Sequence, residues 1–222
     1  MNAVEASLHD PKWDQSLGEE IANSLSHGLG LLAGLIGAPV LMLAAWRGGD
    51  RFFFIGTAVF TAAMLLVYLG STLYHAWPRG TIKSVFQVID HSAIFLLIAG
   101  TYTPFTLGPL RGAWGWTILG LVWALAILGI VLKSVHGTER RKRLSLALYL
   151  GMGWLILIAF RPLMLHVPIP SLAWLVAGGI AYTGGVFFFV SKRSRYNHFV
   201  WHLFVLVGTA CHFLAVLSCA AA

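Results

Sequence analysis

Seven stretches of this chain are long and apolar enough, or nearly so, to cross a lipid bilayer, and this limits the possible folds more than any motif does. A ~30 Å hydrocarbon core needs roughly 20 apolar residues in a helix. The stretches run at about 21–46, 52–76, 84–107, 113–133, 144–160, 171–190 and 197–220, the fifth being the shortest. Glycine and proline punctuate the connections at RGGD 47–50, WPRG 77–80, GPLRG 108–112 and RPLMLHVPIP 161–170. In lipid, backbone polar groups must bond within their own segment unless a barrel closes, and these runs lack the period-2 alternation of barrel strands. The sequence therefore predicts an all-α membrane protein: a bundle of seven transmembrane helices forming one domain over 20–222, behind a short polar tail at 1–19. The first apolar run is expected to stay as a span rather than be cleaved as a signal peptide.

Composition agrees. The 222 residues are 58% hydrophobic and 10% charged, with a mean hydropathy of +0.80. The net charge of +7 does not point to nucleic acid, because the lysines and arginines lie in the short connections. With the N-terminus on side one, that side collects Lys12, Arg79, Lys83, Lys133, Arg140, Arg141, Lys142, Arg143, Lys192, Arg193 and Arg195; the other collects Arg47, Arg51, Arg111 and Arg161. Basic loops stay cytoplasmic, so the expected topology has the N-terminus inside and the C-terminus outside. ERRKR at 139–143 reads as a topology determinant. Cys211 and Cys219 fall on one predicted helix, ~12 Å apart along its axis, too far for a disulfide between them.

Ionisable residues inside spans are costly and are functional candidates by default. The second span ends in STLYH, which puts Ser71 and His75 in its last two turns. Asp90 lies ~10 Å into the third span, counted from Lys83. The seventh opens with NHFVWHLF, so His198 and His202 share a face at i, i+4. His75, Asp90, His198 and His202 thus reach one depth near the cytoplasmic interface, with Ser71 one turn deeper than His75. Three imidazoles with one open position suit catalytic zinc; His75, His198 and His202 are the candidate ligands. Asp90 would orient or deprotonate a water at the fourth position, or hold a ligand imidazole from behind. Ser71 could hydrogen-bond within the site. Glu20, Asn23 and His27 share one face of the first span and read as a polar network docking that helix. His91 points about 100° away from Asp90 and is expected to bond between helices. His212 lies ~15 Å beyond His202 and should not share the ion. His9, His136 and His166 fall in predicted tail or loops.

The segments EEIANSLSHGLG, STLYHAWP, DHSAIFLLIAGTYTPF, YLGMGW and YNHFVWHLF, in this order, resemble the hemolysin III branch of the progestin and adipoQ receptor family. Adiponectin receptors are its animal relatives, and alkaline ceramidases belong to the wider superfamily. The resemblance runs from about Glu19 to Phe213 and implies a seven-helix bundle with a cytoplasmic N-terminus and Zn2+ near that side. It maps His75, His198 and His202 onto the zinc-binding histidines, Asp90 onto the acidic residue reaching zinc through water, and Ser71 onto the serine of SxxxH. Three functions follow as expectations: a zinc-dependent intramembrane hydrolase of a lipid amide or ester; a non-enzymatic membrane sensor with structural zinc; and, ranked last, a pore-forming hemolysin. The expected partner is a membrane lipid or lipid-derived substrate, and the expected location a bacterial inner (plasma) membrane.

Overall fold

The computed structural model describes residues 15–137, 142–191 and 194–222. Among these residues every regular element is helical: α1 Leu17–Arg47, α2 Arg51–Ala76, α3 Thr81–Leu107, α4 Ala113–His136, α5 Lys142–Gly153, a 3₁₀ stretch Leu155–Ala159, α6 Phe160–His166, α7 Ile169–Val190 and α8 Asn197–Ala220. Seven spans result, because α5, the 3₁₀ stretch and α6 form one interrupted span, Lys142–His166. This corrects the sequence reading, which ended the fifth span at 160 and took 161–170 as a connection. Pro162 sits in the first turn of α6, where its missing N–H leaves no intrahelical bond broken. His166 and His136 likewise close helices rather than sit in loops. Lys142 and Arg143 of the basic run open α5; Lys12, Arg140, Arg141, Lys192, Arg193 and His9 lie outside the described residues.

The helix starts are written locally. Ser16 and Glu19 form a reciprocal capping box at α1. The Asp50 carboxylate accepts from the Phe52 and Phe53 amides at the start of α2. Gly112 enters α4 at φ +141°, which a side chain would oppose.

The helices pack as α1 on α2, α2 on α3 and α3 on α4, with α5 against α3 and α4, α7 on α8, and α8 back against α1. Small residues set the closest approaches, as expected where lipid gives no hydrophobic drive between helices. A Cβ on Gly56 of α2 would meet the Pro104 backbone of α3 at 2.6 Å. Large apolar side chains such as Leu25, Leu32 and Ile36 on α1, and Ile127 and Val131 on α4, face outward. The break in the fifth span is satisfied from α3: the Tyr102 hydroxyl donates towards the Met152 and Gly153 carbonyls and accepts from the Ile156 amide. The start of α1, the end of α2 and the starts of α3 and α8 meet at one end of the bundle.

Candidate metal centre

At that end, the last turns of α2 present His75 and the first turns of α8 present His198 and His202. Their ring centroids are 5.2 Å (75–198), 5.0 Å (75–202) and 4.7 Å (198–202) apart. One nitrogen from each lies within 4.8 Å of the others, an arrangement that could hold a metal ion.

The ring hydrogen bonds dictate which nitrogen is free. His75 Nδ1 lies 2.7 Å from Glu20 Oε2; the carboxylate can only accept, so Nδ1 carries the hydrogen and the lone pair is on Nε2. That Nε2 has no hydrogen-bond partner among the described residues, nor has His198 Nε2. His202 Nδ1 sits 3.2 Å from both the Asn23 carbonyl and Ser26 Oγ. The Ser26 hydroxyl already donates to Asn23 O, so His202 Nδ1 is again the donor. His27 stacks on His202 with centroids 3.8 Å apart and planes within 12°. Two buried Nε2 atoms without a hydrogen-bond partner, on His75 and His198, beside His202 with its Nδ1 held as a donor, make a set that suits Zn2+.

Asp90, on α3, is not in the three-nitrogen group. It lines a cavity of about 20 Å³ together with His27, His91, His198 and His202. A cavity of that size holds about one water. Ser71, one turn from His75, is fully buried. Its Oγ has no hydrogen-bond partner among the described residues.

Three expectations need correction. The carboxylate seen bonded to a candidate ligand ring is Glu20, at His75 Nδ1, whereas Asp90 faces the small cavity. The His91 side chain bonds within its own helix, to Gln87 O at 2.8 Å, and not across helices; its Nδ1 is 3.5 Å from Asp90 Oδ2. Lys83, read as an interfacial topology charge, is buried, with Nζ 3.1 Å from Glu20 Oε1 and 2.7 Å from Tyr74 O. The expectation for His212 is met in its placement: it packs against Gly178 of α7, away from the cluster.

The sequence profile described as "Haemolysin-III related" matches residues 15–213. The chain belongs to the hemolysin III family. It is 43% identical to "Hemolysin-3 homolog" of Bacillus subtilis (strain 168), over 90% of this chain and 93% of that one. It is 42% identical to "Hemolysin-3" of Bacillus cereus, over 91% and 92%. A more distant relative, "Heptahelical transmembrane protein ADIPOR2" of Oryza sativa subsp. japonica, is 28% identical over 60% of this chain and 66% of its own. No solved structure matches the chain significantly. These relatives put the chain in the hemolysin III branch of the progestin and adipoQ receptor family. Its seven apolar helices make it a multi-pass integral membrane protein; with such close relatives in bacteria, a bacterial plasma membrane is the bilayer it fits.

The contributions of Ser26, Lys83 and the Asn23 carbonyl to this hemolysin III site were missed from sequence. Spacing alone carried no signal for them, since each acts on a helix distant in the chain. Glu20, Asn23 and His27 share a face legible in the sequence, but it reads there as a docking network rather than as residues that bond to His75 and His202 and stack on His202.

Proposed function

We propose that this hemolysin III protein is a zinc-dependent intramembrane hydrolase of a lipid amide or ester, with the metal end of the bundle facing the cytoplasm. The observation that carries the reading is a shared wall. An apolar cavity of about 210 Å³ lies between α3, the fifth span, α7 and α8, and Val67, Ile94, Phe189, Trp201 and Val205 line both it and the small cavity at Asp90. A hydrocarbon chain in the larger space brings its polar end to the histidine cluster.

His75, His198 and His202 would hold the ion. Zinc, when bound, lowers the pKa of a coordinated water to ~7 and polarises a carbonyl oxygen. Asp90 orients a water in the small cavity and accepts its proton, then returns it to the leaving amine or alcohol. Ser71 offers a hydroxyl donor to the substrate oxygen or to Asp90. Trp201, Phe189 and Val67 keep bulk water from the reacting bond.

The test is Asp90→Asn, assayed on zinc-loaded protein with ceramides and lysolipids. Turnover should fall roughly 10²–10⁴-fold while zinc content and melting temperature stay near wild type. A joint fall in zinc, stability and function would instead favour the second reading, a non-enzymatic sensor with zinc as a clamp. That reading draws on one observation: the ligands join α2 to α8, and α1 packs on both. The pore reading gains no support from the polar groups of the other half. Thr101 and Thr103 bond to carbonyls of their own helix, and Tyr102 to the fifth span.

A further inference from the structure

Glu20, 15% exposed in the first turn of α1, and Lys83, buried in the first turn of α3, are two charged side chains that meet at the cluster end of the bundle, and neither is a candidate ligand. Each Glu20 oxygen serves a different helix: Oε2 takes His75 of α2 at 2.7 Å, and Oε1 takes Lys83 of α3 at 3.1 Å. Lys83 Nζ also reaches the Tyr74 and Trp77 carbonyls at the C-terminal end of α2, at 2.7 and 3.2 Å. It lies 4.7 Å from the centre of the Tyr74 ring. Unpaired, either charge would be costly at this depth. The neighbouring Glu19 does different work: Oε2 closes the capping box with Ser16, and Oε1 accepts the Tyr196 amide just before α8.

We infer that Glu20 is the positioning carboxylate of the metal centre: it fixes His75 as the Nδ1-protonated tautomer, with Nε2 turned to the ion, while Lys83 balances its charge. The inference rests on the zinc reading above. A carboxylate behind a ligand imidazole fixes ring orientation and raises ligand basicity, and such partners typically contribute 10–100-fold in metal affinity. A neutral acceptor in its place would keep the orientation and lose the gain in basicity. An apolar side chain would lose both.

The experiment uses the full chain in lipid nanodiscs. Zinc affinity is measured by competition with a chelating dye, and the His75 tautomer by ¹⁵N-histidine NMR on metal-free protein, its signal assigned by its loss in His75→Ala. Glu20→Gln should keep the tautomer and weaken zinc about 10–100-fold. Glu20→Leu should weaken zinc at least as much and release His75 from the single Nδ1-protonated form. If a lone Lys83 prevents folding, Glu20→Leu with Lys83→Met removes the pair together and should give the same two changes. Asp50→Ala, at the opposite end of α2, should leave both readouts at wild type. Wild-type zinc affinity in the Glu20 variants, or an unchanged His75 tautomer in Glu20→Leu, would overturn the inference. A wild-type protein that takes up no zinc defeats the proposed function instead; the tautomer measurement on metal-free protein still decides the role of Glu20.

Discussion

The two halves of the bundle are packed on different terms. Along α2 and α3, which carry His75 and Asp90, the helices meet closely: a Cβ on Gly56 would strike the Pro104 backbone at 2.6 Å and one on Gly100 the Ala63 Cβ at 2.8 Å, and nearer the histidines one on Gly30 of α1 would strike the Leu206 side chain at 2.5 Å. The fifth span packs less closely: Gly151 and Gly153 are exposed, so a Cβ on either would meet nothing within 4 Å, and the helix itself breaks into a 3₁₀ stretch beside the 210 Å³ cavity. Close packing holds side chains in place, which suits a ligand set that must converge on one ion. The loosely packed half leaves space, which suits a flexible apolar guest. On this account the metal half is built for geometry and the other for capacity.

The contrast can be broken most severely at the ligands. His202→Ala should reduce zinc from about one ion per chain to background in metal analysis. His212→Ala, on the same helix but against Gly178, should keep its zinc. Equal metal loss in both would show that the whole of α8, rather than its first turns, sustains the site.

Glycine substitutions compare the packing directly. Gly56→Ala pushes α2 away from the Pro104 backbone and should cost about 1–3 kcal/mol. Gly151→Ala, inside α5 with open space, should be neutral or stabilising by about 0.5–1 kcal/mol. Thermal unfolding of both variants in one detergent checks the sign of the difference. Similar losses would mean that the fifth span is as tightly held as α2.

Filling the space should affect turnover without affecting metal. Leu175→Trp places a larger ring into the apolar cavity. On the hydrolase reading kcat/KM should drop on the order of tenfold, equivalent to about 1.4 kcal/mol, at unchanged zinc content. Undiminished activity on long-chain substrates would remove the cavity from the substrate path.

The smallest effect lies outside the spans. Burial pushes the Asp50 carboxyl up, but the Phe53 and Phe52 amides and the Arg111 guanidinium outweigh it and hold the group below its ordinary value of 3.8. A carboxylate so lowered stabilises the fold above its unfolded-state pKa and loses that contribution as pH falls through the folded-state value. Asp50→Ala should therefore cost about 1 kcal/mol near neutral pH. The gap should close below ~pH 4, where the wild-type carboxyl takes up its proton. A gap that persists in strong acid would assign the loss to packing rather than to the cap.

Much of this was legible in the sequence because lipid is a strict solvent. Span length follows from bilayer thickness, and the polar residues of STLYH and NHFVWHLF stand out inside apolar runs. The depth shared by His75, His198 and His202 could be counted from helical rise. What could not be counted is which helix faces which. The contacts of Glu20 with His75 and of Asn23 with His202 cross 55 and 179 residues of chain, and no spacing rule reaches that far. Lys83 was misread because a lysine near a span end is ordinarily interfacial; its burial depends on a carboxylate arriving from α1. The fifth span was cut short because Pro162 resembles a breaker when its position within a helical first turn is unknown.

The central claim is that three imidazoles hold one zinc with a position left open beside Asp90. X-ray absorption on purified protein of measured zinc content tests it most directly. The account predicts about one zinc per chain, with three nitrogen ligands at ~2.0–2.1 Å and one further oxygen ligand, and loss of that spectrum in His75→Ala. Protein purified with zinc supplied yet without bound metal, or a closed shell that includes the Asp90 carboxylate as a direct ligand and leaves no place for water, would contradict it.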